Sequence, residues 1–459
     1  MSARAPTERV PDVRPGRLSA AEIERNFNDL HPPLSRPEAL IEADRCYFCF
    51  DAPCTTACPT GIDIPGFIQK IRSDNIKGSA HTILEQNIMG GMCARVCPTE
   101  VLCEEACVRN THEDKPVNIG LLQRYATDPV LDANVVLFSR AAPSGCKVAV
   151  VGAGPAGLSC AHRLAMLGHD VVVFNRDAKP GGLNEYGIAA YKTVDDFAQR
   201  EVDYILGIGG IEVVNEVVYG KDATLAMLRE EFDAVFLGVG LAGSNELGIE
   251  NEDVDGVLNA IDYIRELRQA KDKGSLPVGR RVVVIGGGMT AIDIAVQSKL
   301  LGAESVDLVY RRGPEEMGAS RFEQELAQTN GVQIRHWAKP SRVLADDRVL
   351  GVEFERTVSD AQGKLNGTGE FWALEADVVF KAVGQKLAFE AGADNVLLQR
   401  DQGKLIVDEE RRTSLPGVWA GGDCVADGDD LTVTAVQHGK LAAISIDRYL
   451  RGADAGVGS

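Results

Sequence analysis

Positive charge is in short supply in this chain. Lys and Arg number 48 against 67 Asp and Glu, a net charge of −19 over 459 residues. Nucleic acid and anionic lipid both select a basic surface, so neither is expected as a partner. Histidine is scarce, seven in all, and none forms an obvious metal pair. No residue stands out as an acid or base for substrate chemistry. The first ten residues, MSARAPTERV, contain no apolar segment of the kind a secretory signal needs. The longest apolar stretch, 147–168, has the length of a membrane span, but the turn-forming GAGPAG interrupts it and His162 and Arg163 follow. It reads instead as strand, tight turn and helix. A cytoplasmic protein is expected, whose cysteines hold metal rather than disulfides. The 45% hydrophobic and 25% charged content is that of an ordinary globular protein, with length for two to four domains.

What the chain does have is an uneven cysteine distribution. Eight of eleven fall between residues 46 and 107, as Cys46-x2-Cys49-x4-Cys54-x3-Cys58-Pro59 and Cys93-x3-Cys97-Pro98-x4-Cys103-x3-Cys107. A [4Fe–4S] cube takes four soft ligands, and a cysteine followed by proline commonly serves the other cluster of a two-cluster protein. Eight thiolates suffice for two such clusters. Two Cys₄ zinc sites are the alternative, but zinc favours paired C-x2-C knuckles and only Cys46/Cys49 makes one. The surrounding segment lacks strand-like runs of β-branched residues and reads as helical, with helices predicted over 20–30, Ile64–Arg72 and 118–126. Residues 1–17 are expected to fray, and 452–459 carry no core-forming pattern.

The character changes at Cys146. Strand 147–151, Gly152-x-Gly154-Pro155-Ala156-Gly157, a helix to Leu167 and strand 170–174 make a βαβ opening with a dinucleotide fingerprint. The first glycine permits the tight turn, the second lets a pyrophosphate approach, and the third lets helix pack on strand. Asn175 stands where an acid usually meets the ribose. Gly181-Gly182-Leu183 follows, and Val418-Trp-Ala-Gly-Gly422-Asp423 comes near the C-terminus, a pairing that resembles the two halves of an FAD site in the two-dinucleotide flavoproteins. A second unit repeats it about 134 residues on, with strand 281–285, Gly286-Gly287-Gly288-x-Thr290-Ala291 opening a helix to 301, and strand 306–310. Arg311 and Arg312 replace the usual acid and could grip a 2′-phosphate, favouring NADPH. They could equally be solvated or hold the pyrophosphate. Ala382-Val-Gly384 reads as this unit's return strand, and 268–280 as a surface connection. The other cysteines, Cys146, Cys160 and Cys424, form no redox pair, which sets the chain apart from the flavin disulfide reductases.

Together, CYFCFDAPCTTACPTGIDIPGFI (46–68), CARVCP (93–98), LCEEAC (102–107) and NIGLLQRYA (118–126), with the two fingerprints, resemble one family from about residue 20 to 450. It includes the glutamate synthase small subunit and the N-terminal half of dihydropyrimidine dehydrogenase, and the cysteine segments look most like the latter. The resemblance implies cluster ligands Cys46, Cys49, Cys54 and Cys107 on one side and Cys58, Cys97, Cys103 and Gln123 on the other. From spacing alone Cys93 would be the eighth ligand, and it remains the alternative. The glutamate synthase branch tends to carry Glu at the position of Gln123. Gly318, with Arg321 close by, lies where NADPH-using relatives have a further basic residue, whereas bacterial relatives use NADH. Coenzyme choice stays open.

An α/β chain is therefore expected, with a helical two-cluster iron–sulfur domain (1–135) followed by tandem Rossmann-like FAD (136–265 and 385–459) and NAD(P) (266–384) domains, the second inserted in the first. NAD(P)H would give hydride to FAD, and electrons would leave singly through two [4Fe–4S] clusters. The chain has no room for a pyrimidine-binding FMN barrel or a glutaminase. The family therefore implies a partner, an FMN-containing catalytic subunit that reduces uracil or thymine to the 5,6-dihydro form. Alternatives are a glutamate synthase (NADPH) small subunit, a stand-alone NAD(P)H:ferredoxin-type reductase, and a non-catalytic subunit with vestigial nucleotide sites.

Overall fold

The computed structural model describes residues 12–388 and 397–452. The expectations for the first eleven residues and for 453–459 lie outside them. The described chain divides into two compact units: residues 12–28, Ala189–Tyr191 and Ser244–Gly384 in one, and the rest in the other.

In the larger unit, residues 29 to 135 are helical, and no strand interrupts them. Helix Ile64–Arg72 shows why. Asp63 caps it by accepting from Gly66 N, a proline occupies the first turn, and Ile64, Phe67, Ile68 and Ile71 recur on one buried face. Lys70 and Arg72 in the last turn complement the helix dipole. That face joins Ala39, Ala43, Ile83, Leu122 and Ala126 in a core bordered by five cluster-segment cysteines. Burying each large apolar side chain contributes about 1.5–3 kcal/mol.

The same unit holds a five-stranded parallel sheet in the order Val418–Ala420, Ala234–Leu237, Lys147–Val151, Asp170–Phe174, Ile211–Val214. The smaller unit repeats this with Val257–Asn259, Val378–Lys381, Arg281–Ile285, Ser305–Val309, Gln333–Arg335. In both sheets the glycine-fingerprint strand is central, and its flanking strands are short apolar runs of the sort a doubly covered parallel sheet requires.

Several boundaries differ from expectation. The helical and FAD segments are not separate compact bodies. Leu84, Met92 and Leu131 pack with Leu158, Phe197, Val202 and Val436 in one core. The second nucleotide unit begins at Ser244 rather than 266, because strand Val257–Asn259 pairs with Val378–Lys381. Its return strand is Val378–Lys381, and Ala382–Gly384 is the turn after it, with Gly384 at φ +93°. Residues 13–14 pair antiparallel with Val278–Gly279, so part of the segment expected to fray, and part of the 268–280 connection, are strand. The expected helix 20–30 ends at Asn26 and belongs to the nucleotide unit. A three-stranded antiparallel sheet, Ala338–Ala345, Val349–Ser359 and Leu365–Glu375, was not foreseen.

Candidate functional site

The eight clustered cysteines form two groups of near neighbours. Cys46 and Cys49 lie beyond helix Arg36–Asp44, and Cys54 lies in the short helix Pro53–Ala57. Burial pushes the Cys54 thiol up to about 11, and Cys46, Cys107 and Cys49 add to this by charge. Cys46 is raised by burial in the same way; the Phe48 N–H, which donates to its sulfur at 3.4 Å, opposes the shift, and Cys49 and Cys107 add to it. These four are the first implied ligand set.

The second group lines a cavity with Cys58, Cys93, Cys97, Cys103 and Gln123, walled by Ile62, Ile64, Leu102 and Val433. A hydrogen bond with Cys93, then burial, then the charges of Cys93, Cys103 and Cys58 raise the Cys97 thiol well above its usual range. Cys103 is raised by burial, by Glu104 and by Cys58. Thiols that resist ionising together are what a cationic cluster core relieves, since a coordinated thiol is deprotonated outright. Gln123 is buried on helix Ile119–Asp132 and donates through Nε2 to the Gly90 carbonyl at 2.6 Å, which leaves Oε1 as the atom it can offer a metal. The donor set therefore suits an iron–sulfur cluster. Among the described residues no trio of His, Cys, Asp or Glu is drawn together tightly enough to hold a single ion; ligands to a cube several ångström across need not converge so closely.

In the larger unit's sheet the first fingerprint makes a closed cradle. Gly152 turns at φ +98°, and a Cβ there would meet Gly238 O at 2.3 Å. A Cβ on Gly157 would lie 1.9 Å from Gly152 O. Gly154 caps the helix that begins at Pro155 and Ala156. Gly182, capping the short helix from Leu183, would with a Cβ approach Gly154 Cα to 2.7 Å, and Gly181 N donates to Ala153 O at 2.7 Å. The two glycine turns thus stand against each other at the helix N-terminus, where a pyrophosphate is stabilised. Asn175 is buried, and its Nδ2 donates to Asp177 O, Lys179 O and Asn215 Oδ1, so only its Oδ1 is left to accept from a ribose hydroxyl. Gly422 N donates to His438 Nδ1 at 3.1 Å, and burial pushes neighbouring Asp423 up to about 6.

The second fingerprint makes a more open cradle. A Cβ on Gly286 would meet Ala382 O at 2.2 Å, and one on Gly287 would meet the Tyr310 ring at 2.4 Å. Gly288, which caps the helix carrying Thr290, has nothing within 4 Å of such a Cβ. Gly318 is its opposite number, 3.8 Å from Gly288 Cα when a Cβ is added. The two arginines part company. Arg312 pairs with Glu316 at 2.8 Å, while Arg311 is exposed and its guanidinium has no partner among the described residues. Arg321 pairs with Glu325 at 3.1 Å.

Sequence reasoning missed two residues of the C-terminal helix Thr432–Leu450. Val433 walls the second cysteine cavity. Lys440 is buried and donates to Thr60 O at 2.9 Å and Gln86 O at 3.0 Å, burial lowering it to about 8. It ties the Cys58 loop to the helix that follows the Asp423 turn. A single lysine at helical spacing carries no signal of that role. Cys160 is a packed core residue, as expected.

The comparisons with known proteins agree with this layout. Residues 23–135 match the family described as dihydropyrimidine dehydrogenase domain II, 4Fe-4S cluster, and 146–439 match pyridine nucleotide-disulphide oxidoreductase. The NAD-dependent dihydropyrimidine dehydrogenase subunit PreT of Escherichia coli K12 is 36% identical, covering 93% of this chain and 98% of its own. The glutamate synthase [NADPH] small chain of the same organism is 35% identical, covering 92% and 94%. Among solved structures, Mycobacterium tuberculosis FprA in complex with NADPH aligns with TM-score 0.57 at 20% identity, covering 68% of this chain and 86% of its own, which speaks to fold. No helix among the described residues is long and apolar enough to cross a membrane.

Proposed function

Because the chain belongs to the pyridine nucleotide-disulphide oxidoreductase family, in the group that holds PreT subunits and glutamate synthase small chains, and is an NAD(P)H-dependent FAD and iron–sulfur oxidoreductase, we propose that it is the electron-input subunit of a cytoplasmic dihydropyrimidine dehydrogenase. Its partner would be an FMN-containing catalytic subunit that reduces uracil or thymine. The single observation that carries the reading is the continuity from the Gly422-Asp423 turn into helix Thr432–Leu450, whose Val433 walls the second cysteine cavity.

In this reading bound FAD would supply the hydride-accepting chemistry and two [4Fe–4S] clusters would supply one-electron transfer. The residues of the chain provide the setting. Gly152, Gly154, Gly157, Gly181 and Gly182 admit the FAD pyrophosphate, Asn175 meets the ribose, and Asp423 faces the ribityl–phosphate region. Gly286, Gly287, Gly288 and Thr290 receive the coenzyme's pyrophosphate, with Ala382 and Gly384 beside them and Arg311 reading a 2′-phosphate. Cys46, Cys49, Cys54 and Cys107 hold one cluster, and Cys58, Cys97, Cys103 and Gln123 the other. Gln123 is favoured over Cys93 because its Nε2 is anchored on Gly90 O, which leaves Oε1 as the atom it offers.

The test is an anaerobic affinity pull-down of the full chain from its host, followed by NAD(P)H oxidation assays of the complex. Uracil-dependent oxidation with an FMN-containing partner is expected. Activity only with 2-oxoglutarate and glutamine would make this a glutamate synthase small chain instead, a reading its 35% identity to that protein keeps in view. No partner and turnover with ferredoxin alone would make it a stand-alone reductase. Cys49→Ser should halve the cluster content, measured as iron per flavin, and leave FAD bound.

A further inference from the structure

Asn87 is fully buried between helix Ile76–Gln86 and helix Gly90–Val96, and it belongs to the wall of the second cysteine cavity. The orientation of its amide is set by the backbone. Met89 N–H donates to Asn87 at 3.1 Å, and an N–H can only meet the carbonyl oxygen, so the facing atom is Oδ1. The NH₂ end is then the other one. It has no accessible surface and no hydrogen-bond partner among the described residues. A buried amide N–H₂ left unpaired is destabilising, and native proteins rarely carry one without a use for it.

Every other polar group at this cavity has an assignment. Cys58, Cys97 and Cys103 are thiols for iron, the Cys93 thiol is hydrogen-bonded with Cys97, Thr99 is hydrogen-bonded with Glu104, Gln123 Nε2 is taken by Gly90 O, Gly120 N donates to Glu104 at 3.0 Å, and the rest of the wall includes the apolar Ile62, Ile64, Leu102 and Val433. In such a wall the sulfurs of a bound cluster are the acceptors that an unpaired N–H₂ can find. Hydrogen bonds to cluster sulfurs are a principal control on reduction potential, because they stabilise the more negative, reduced state.

We propose that Asn87 Nδ2 donates a hydrogen bond to a sulfur of the second cluster and holds that cluster's potential up, which makes it the better acceptor of electrons arriving from the flavin side. This rests on the two-cluster reading above. Asn87 is a positioning residue that tunes the cluster, not a ligand to it.

The test uses the full-length holoprotein and two variants, Asn87→Leu, which removes the whole amide at similar volume, and Asn87→Asp, which keeps the acceptor for Met89 N–H and removes the donor. Iron and acid-labile sulfide are counted first, and wild type with one cluster or none overturns the two-cluster reading itself. Given two clusters, EPR-monitored redox titration should show one potential falling in both variants by roughly tenfold in the reduction equilibrium, about 59 mV for one electron, with the other unchanged. Pulsed EPR after exchange into D₂O should show a deuteron coupled to the tuned cluster in wild type and not in Asn87→Leu. If both clusters are retained in the variants with both potentials and the deuteron coupling unchanged, the proposal is overturned while the two-cluster reading stands. Should Asn87→Leu lose the cluster on purification, Asn87→Asp decides the outcome.

Discussion

The two glycine fingerprints are built on the same sheet order yet differ in how closely they are packed. In the first, Gly154 and Gly182 stand so near that a Cβ on Gly182 would come within 2.7 Å of Gly154 Cα. In the second, the corresponding pair Gly288 and Gly318 leaves 3.8 Å, and Gly288 itself faces open space. A cradle closed on both sides suits a cofactor that is bound once and kept. An open one suits a coenzyme that must enter and leave every turnover. The closed cradle belongs to the unit that also carries the cysteines, and Leu158, on the helix that follows its glycines, packs in one hydrophobic core with Phe197 and Val436 and with Leu84 and Met92 of the cysteine-bearing helical segment.

The largest effect should come from filling the closed cradle. Gly157→Val places its Cβ against the Gly152 carbonyl at 1.9 Å, where backbone cannot give way. Overpacking of that kind costs about 1–3 kcal/mol or somewhat more; carried wholly by the cofactor-bound form, that is roughly ten- to a hundredfold or more in affinity, and the variant should purify without flavin, read from its visible absorbance. Gly288→Ala meets nothing and should keep flavin and fold, raising the coenzyme KM by only a few-fold. Loss of flavin from Gly288→Ala, or its retention in Gly157→Val, would break the contrast between the two cradles.

A smaller effect separates the two arginines of the open cradle. Arg311→Ala should raise KM for NADPH by roughly ten- to a hundredfold, the worth of one charged hydrogen bond of about 1.5–3 kcal/mol, and leave NADH little changed. Arg312→Ala should do less, because Glu316 already holds that guanidinium. Equal losses with both coenzymes would mean that neither arginine reads the 2′-phosphate.

The cradles were legible in the sequence because glycine is demanded where backbones meet. Strands Lys147–Val151, Asp170–Phe174 and Arg281–Ile285 and helix Ile64–Arg72 begin and end where the apolar periodicity and capping residues place them. The antiparallel sheet was missed although Val352 and Phe354 are buried between the less buried Glu353 and Glu355, an alternation that could have been read. The strand 13–14 could not have been, since a two-residue strand is defined by its partner at 278–279 and not by its own pattern. Asn175 illustrates a different limit. Its residue type suggested a ribose contact, but which of its atoms is already committed depends on a turn at 177–179 and on Asn215, which local sequence does not reveal.

The subtlest difference between the cradles is a matter of protons. The closed one ends in a turn where Gly422 N–H donates to His438 Nδ1 and Asp423 is next in sequence. Burial first, then Arg411, lowers His438 to about 4 from its ordinary 6.5. From pH 6.5 down to 4 the unfolded chain therefore takes up a proton that the folded chain refuses, so the histidine's contribution is complete above pH 6.5 and is lost as pH falls through 4. Asp423 has the opposite sign. Its folded value is about 6 against an ordinary 3.8, so the folded chain keeps a proton that the unfolded chain has released, and its contribution is complete below pH 3.8 and is lost as pH rises through 6. The windows overlap between pH 4 and 6, each on the order of 2 kcal/mol after allowance for the partial exposure of Asp423. In flavin-free protein the two should nearly cancel each other's share of the pH dependence of the urea midpoint between pH 4.5 and 6, so each variant is read against wild type. Asp423→Asn should uncover the histidine slope, with stability falling as the medium is acidified, and His438→Gln should uncover the aspartate slope, with stability rising. If both variants track wild type across that range, the turn does not titrate, and the closed cradle differs from the open one in packing alone.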